Sequence, residues 1–186
     1  MTFMKGKLCE LRPIENSDYE VARYTKYVNA GWTLDFVFTG SFPIRPIDVR
    51  SSWEAVLKSE GREILFGIWV MNASGVMEFV GGCGLHSYRD IYRSREFRII
   101  IFDPEAVEKG VGTEATRLVA DYFFRRLNGY KLWLGVNAEN VRAVRCYQKA
   151  GFKEEGRLRD ELWINGKYVD AVRMSILRHE WEAENA

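Results

Sequence analysis

The chain has 186 residues, 47% hydrophobic and 14% aromatic, which suits one ordinary hydrophobic core. Its 27 Lys and Arg nearly balance 26 Asp and Glu, so the net charge of +1 argues against the basic field that a nucleic-acid partner requires. Charge appears within the first five residues and no apolar run approaches the roughly eighteen of a membrane span, so a cytoplasmic protein with no membrane partner is expected.

The first segment alternates apolar and polar from Lys7 to Arg12, which predicts a strand, and Asn16, Ser17 or Asp18 then offers an N-cap for a helix. Residues 31–46 (GWTLDFVFTGSFPIRP) mix aromatic residues with turn formers, as in a long irregular loop. Val49, Trp53, Val56 and Leu57 mark a second helix that stops at Gly61. EILFGIWVM and VMEFVGGCGL form a hairpin around NASG, and REFRIIIF is a third strand. From Gly112 the pattern turns helical through Ala115, Leu118, Val119, Tyr122 and Phe123, and ends at Asn128-Gly129. YKLWLGVN is a strand and AENVRAVRCYQKAGF a short helix ending at Gly151. Asn165-Gly166 sits between two alternating runs, where both residues tolerate the positive φ of a type I′ turn. The sum is a mixed α/β (α+β) pattern with antiparallel hairpins on either side of a central βαβ unit.

Chemistry concentrates in DPEAVEKGVGTEA, residues 103–115, where a strand passes through two glycines into a helix. The first-turn N–H groups of a helix have no internal partners and its dipole favours an anion, so a phosphate suits this place. Glycines at such a turn can equally serve the backbone alone. Neither G-x-x-x-x-G-K-[ST] nor the three-glycine dinucleotide pattern is present, which disfavours ATP and Rossmann sites. Cys9, Cys83 and Cys146 are scattered without a C-x-x-C pair, and His86 and His179 are the only histidines, so neither a disulfide framework nor a metal site is expected.

VEKGVG after a hydrophobic strand, then YKLWLGVNAENVRAVRCYQKAGF with Asn140, Ala143, Tyr147, Lys149, Gly151 and Phe152 in place, resembles the GNAT superfamily of acetyl-CoA-dependent N-acetyltransferases. The likeness extends over nearly the whole chain. The tail EEGRLRDELWINGKYVDAVRMSIL is similar to the branch holding ribosomal-protein N-terminal and spermidine acetyltransferases. The resemblance implies one GNAT-like domain over residues 1–186, with a mixed, mostly antiparallel sheet flanked by helices and a C-terminal hairpin. It also implies acetyl-CoA as cosubstrate, held by the strand at Ile100, Ile101 and Phe102 through main-chain pairing with the pantetheine arm. The loop amides of Val107, Glu108, Lys109, Gly110, Val111, Gly112 and Thr113 would cradle the pyrophosphate, with Asn140 and Lys149 contributing from the next block. Val107 stands where the family usually has Arg or Gln, and Glu108 where Gly commonly follows. Backbone amides survive both changes and Lys109 supplies a charge, so a weakened site is expected rather than an abolished one.

Acetyl transfer to an amine needs a neutral nucleophile, a stabilised oxyanion and a proton for the departing thiolate. Tyr147 resembles the family's general acid, and a phenol stays protonated at neutral pH. Glu96 corresponds to a substrate-facing glutamate of this branch and is the candidate base, with Glu78, Asp35 and water as alternatives. The segment from Glu96 to Pro104 is one residue longer than usual, and such a slip reverses the face of a strand unless a bulge restores it. A backbone N–H near Phe102 would meet the oxyanion. Cys146 lacks a histidine partner near in sequence and needs no nucleophilic role.

The acceptor surface would be built by the first two helices, the loop bearing Trp32, Asp35, Phe36, Phe38 and Phe42, and the closing hairpin. Few acids lie there, so a single amine such as a protein N-terminus is expected in preference to a polyamine. An α-amine, with a pKa of about 8, is also neutral more often than an alkyl amine near about 10.4. A small-molecule acetyltransferase, or a protein that binds acetyl-CoA without turnover, remains a distinct reading, and a homodimer is left open.

Overall fold

The computed structural model describes residues 1–30, 33 and 42–185. The chain starts with β1 (Met4–Lys5) and β2 (Glu10–Pro13), then α1 (Asp18–Val28) and α2 (Pro46–Leu57). A meander follows: β3 (Ile64–Met71), β4 (Met77–Arg89) and β5 (Ser94–Ile101). A 3-10 turn (Pro104–Ala106) leads to α3 (Val111–Arg125), β6 (Lys131–Asn137) and α4 (Val141–Lys149), and the chain closes with β7 (Lys153–Ile164), β8 (Lys167–Leu177) and α5 (Arg178–Glu184). Among the described residues eight strands lie in one sheet, ordered β1-β2-β3-β4-β5-β6-β8-β7. Of their pairings, β5 with β6 alone is parallel, because α3 carries the chain across between them. The predicted mixed, mostly antiparallel sheet is therefore present, with hairpins on both sides of the βαβ unit.

The local rules are visible at the element ends. Ser17 caps α1 and Glu20 returns the bond, a reciprocal capping box. Asn165 (φ 50°) and Gly166 (φ 79°) turn the β7–β8 hairpin as predicted. The strand expected over Lys7–Arg12 instead spans Glu10–Pro13, because Lys7–Cys9 belong to a turn closed by Gly6 N–H to Cys9 C=O at 2.9 Å. α3 begins at Val111, one residue earlier than the periodicity suggests, because Gly110 at φ 83° takes the N-cap position.

Two hydrophobic cores sandwich the sheet. α3, α4 and α5 cover one face over Leu85, Phe97, Val119, Phe123, Leu132 and Met174. α1 and α2 cover the other, where Val21, Val49 and Trp53 meet Phe79 and Phe102. Phe79 and Phe102 are completely buried and meet edge to face at 5.0 Å. Trp32, Asp35, Phe36 and Phe38, expected to face the acceptor, lie outside the described residues. Phe42 is described and exposed.

Candidate active site

β5 and β6 share three register pairs, Ser94–Lys131, Arg95–Leu132 and Glu96–Trp133, and then part. Beyond Glu96, β5 stays in register with β4 as far as Ile101, while β6 stays with β8 as far as Asn137. A wedge opens between them, and its two backbone edges have no ladder with each other among the described residues. Such an edge can accept a narrow extended ligand by strand-like pairing.

At the wide end of the wedge, the N–H groups of Phe102 and Asp103 both donate to Val80 C=O, at 3.0 and 3.2 Å. Two residues facing one is the pattern of a bulge, and it absorbs the extra residue found in the sequence. Of the amides near Phe102, that of Phe102 itself is used by β4 and its ring is buried between Tyr24, Tyr27 and Phe79, so it is not the one available to an oxyanion. Strand alternation turns the amides of Ile101 and Ile99 the other way, into the wedge, while Ile100 lies opposite Gly82 of β4.

Asp103 caps the 3-10 turn through Glu105 N–H at 2.9 Å, and Val107–Gly110 bring the chain to α3. Glu114 N–H returns to Gly110 C=O at 3.0 Å, so the amides of Val111, Gly112 and Thr113 are those left without helical acceptors. Glu108 has φ 63°, the left-handed conformation that glycine adopts without cost. Its exposed carboxylate lies 3.9 Å from Arg142 of α4, which brings a positive charge to the side of the loop where Val107 supplies none.

A second acid, Glu114, stands in the first turn of α3, but its charge is committed elsewhere. Its carboxylate accepts the amides of Lys7, Leu8 and Cys9 at 2.8, 2.7 and 2.9 Å. Gly6 leaves room for this approach, since a Cβ there would come within 2.2 Å of the carboxylate. Burial pushes the Glu114 pKa up, but the amides of Leu8, Lys7 and Cys9 outweigh it and the net shift is downward. A depressed carboxylate pKa stabilises the fold above its unfolded value, and that contribution is lost as pH falls through the folded value. Glu114→Gln is therefore expected to cost about 1–2 kcal/mol at pH 7. In urea unfolding the difference from wild type should shrink as pH falls below the ordinary carboxylate range; a gap that stays constant as the solution is acidified would show that the charge is not its source.

α4 closes the other side of the wedge. Asn140 is buried and caps it, its Oδ1 accepting Ala143 N–H at 3.0 Å. The Thr113 hydroxyl donates to Cys146 Sγ at 3.3 Å, and Arg117 donates to the Lys149 carbonyl, so the start of α3 and the length of α4 are held together. Tyr147 follows Cys146 and packs half-buried on Phe152, ring centres 5.9 Å apart. Burial, with a smaller contribution from neighbouring Cys146, pushes its phenol pKa upward. Lys149 is exposed at the end of α4. Burial also raises the Cys146 pKa, which leaves it a poor nucleophile.

A family model described as the acetyltransferase (GNAT) domain matches residues 9–153. The chain belongs to the GNAT family. The spermidine N(1)-acetyltransferase of Escherichia coli K12 is 47% identical over 95 residues, which cover 51% of this chain and 50% of that protein. The aligned segment thus spans about half the length of that relative. The Bacillus subtilis protein named "Probable N-acetyltransferase YjcK" is 40% identical over 96% of this chain and 99% of its own. Among solved structures, spermidine N-acetyltransferase from Vibrio cholerae in complex with CoA and spermine superposes with a TM-score of 0.80 at 29% identity, covering 95% of this chain and 99% of that one.

In this GNAT chain the apex of the wedge is polar. Glu96 stands at the last shared register pair, on the face covered by α1 and α2, directly opposite His86 of β4. Arg98 donates to both Glu96 oxygens at 2.9 Å, and the Ser87 hydroxyl donates at 2.9 Å. Burial raises the Glu96 pKa, but the bonds from Arg98 and Ser87 outweigh it, so the carboxylate is held ionised and weakly basic. Glu78 is bonded to Arg23 at 3.1 Å and Asn72 at 3.0 Å, which gives it a tethering role between α1 and β4. Asp35 lies outside the described residues.

His86 and Glu63 form a pair that the sequence does not single out, since 23 residues separate them and no spacing rule links them. Two further hollows lie away from the wedge: one of about 110 Å³ bordered by Tyr88, Arg95 and Phe123, the other of about 220 Å³ by Arg12, Glu15 and Trp69. Among the described residues no group of three or more His, Cys, Asp or Glu is placed to hold a metal.

Proposed function

We propose that this GNAT chain transfers the acetyl group of acetyl-CoA to a primary amine of a small molecule, with polyamines as the leading acceptor class. The observation that carries the reading is the wedge between β5 and β6, whose wide end runs into the unpartnered amides at the start of α3. An extended arm pairing with Ile99 and Ile101 would place its phosphates at Val111–Thr113 and its thioester towards the apex. Arg142, Lys149 and Lys109 supply positive charge near the phosphates, with Asn140 fixing the start of α4. The relatives named as spermidine acetyltransferases support a small-molecule acceptor over the protein N-terminus expected from composition.

In the reaction the amine loses a proton and its lone pair attacks the thioester carbon. The carbon–sulfur bond breaks as the amide forms, and the departing sulfur takes a proton from Tyr147. The Ile101 or Ile99 amide, on the strand just before Phe102, donates to the transient oxyanion.

Thiol release from acetyl-CoA, measured against a panel of polyamines, amino sugars and short peptides, tests this directly. Turnover with spermidine or another small amine is expected. Turnover with peptides alone would return the acceptor to a protein N-terminus, and binding of acetyl-CoA without turnover on any amine would reduce the chain to a binding protein.

The loop offers a separate check. Left-handed strain at Glu108 costs about 1–2 kcal/mol, more than the roughly 0.4–1 kcal/mol by which glycine loosens the unfolded chain. Glu108→Gly is therefore expected to raise the melting temperature slightly and to tighten CoA binding several-fold by removing a negative charge. Weaker binding in calorimetry would show that Glu108 serves the site.

A further inference from the structure

We infer that His86, oriented by Glu63, and not Glu96, is the group that takes the proton from the incoming amine. This rests on the acetyl-transfer reading above. His86 Nδ1 is hydrogen-bonded to Glu63 Oε2, and Glu63 Oε1 accepts Ser87 N–H at 3.1 Å. A carboxylate on Nδ1 fixes the tautomer in which Nδ1 carries the proton and Nε2 offers its lone pair. That free nitrogen lies over Gly84, where a Cβ would approach it to 3.0 Å and would also strike the Ile64 carbonyl. The glycine leaves the floor beside Nε2 bare.

The position is right for the chemistry. His86 faces Glu96 across one strand spacing, about 5 Å, at the apex where β5 and β6 part. The backbone beside it is distorted: the β4–β5 register shifts after His86, and Ser87 adopts φ 52°. A bulge and a left-handed non-glycine residue cost energy that a plain hairpin would not need, and here they let Ser87 tie Glu63 to Glu96. His86 retains 16% of its side-chain exposure, enough for contact with a substrate nitrogen.

Glu96 cannot do this work as well, since both its oxygens are occupied and it is held ionised. The charged groups facing His86 among the described residues are Glu63, from the turn before β3, and Glu96 and Arg98 of β5. Burial lowers the His86 pKa most, Glu63 raises it and Arg98 lowers it, with a net downward shift that keeps the ring neutral and receptive at neutral pH. The ammonium proton passes to Nε2, giving an imidazolium paired with Glu63. The neutral amine attacks; as the carbon–sulfur bond breaks, the second N–H proton of the intermediate restores Tyr147, whose own proton has gone to the departing sulfur, and the imidazolium returns the first proton to water.

The test is the pH profile of kcat for acetyl-CoA and spermidine in wild type, His86→Gln and Glu63→Gln, with acetyl-CoA binding followed by thermal shift. Wild-type kcat is expected to rise with pH and level off once the imidazole is neutral. His86→Gln should lower kcat about 100-fold and remove that bend, while acetyl-CoA binding persists. Glu63→Gln should lower kcat about tenfold and move the bend to lower pH, because the imidazolium loses its partner. If His86→Gln does not fold, the shifted bend in Glu63→Gln decides. An active wild type with both variants within threefold and an unmoved bend overturns this inference alone. A wild type that binds acetyl-CoA yet acetylates no amine overturns the transfer reading as well.

Discussion

Tyr147→Phe is expected to lower kcat by about 100-fold or more while leaving the affinity for acetyl-CoA and the melting temperature unchanged. The substitution removes one O–H and keeps the ring, so the packing on Phe152 and the surrounding core is retained. What is lost is proton donation to the departing sulfur, an effect of about 2.7 kcal/mol or more on the barrier. Burial pushes the phenol pKa upward, so the donor stays protonated through the physiological range and does not limit activity at alkaline pH. The wild-type rate should therefore show no downturn assignable to Tyr147 below about pH 10. Steady-state kinetics read as a split between kcat and KM provide the check. An unchanged kcat would restrict Tyr147 to packing, and a raised KM with normal kcat would make it a binding residue.

Much of this arrangement was legible because it depends on short-range chemistry. Ser17 and Asn165-Gly166 announce their cap and turn through backbone preferences acting within a few residues. VEKGVG and NAENVRAVRCYQKAGF identified the family because their spacing puts helix amides after a strand and a cap before α4. The wedge was not legible, since it arises from where β5 stops pairing with β6, a property of strands more than 30 residues apart. The bulge that absorbs the extra residue before Pro104 was raised only as an alternative, because a doubled bond to Val80 leaves no mark in composition. The carboxylate of Glu114, in the first turn of α3, is committed to the Lys7–Cys9 turn, a contact across more than 100 residues that no local pattern announces. His86 carried no signature in sequence, because its partner Glu63 lies 23 residues away, across a strand pair.

Arg23→Ala is expected to destabilise the protein by about 3–5 kcal/mol, a large share of the stability of an ordinary domain. Arg23 of α1 donates to the Phe79 carbonyl, to Glu78 at 3.1 Å and to Asp103, whose side chain is 5% exposed. Removing the guanidinium leaves Asp103 buried without its ion-pair partner, with a bond from the Glu105 amide, and it removes one donor from the Phe79 carbonyl. Because Asp103 caps the turn that starts the glycine loop, the loss should reach acetyl-CoA binding as well as folding. Arg23→Lys keeps a charge but cannot span three acceptors, so it should recover part of the stability. Asp103→Asn removes the stranded charge, so the double variant Arg23→Ala/Asp103→Asn should be less destabilised than the sum of the two single changes. Urea unfolding of the four proteins measures that coupling, and strictly additive effects would mean that the pair contributes little beyond its separate contacts. Coupling above about 1 kcal/mol would show that the helix over the acceptor face and the start of the phosphate loop are held by one ion pair. In that case a change in α1 would alter cofactor affinity without touching the cofactor.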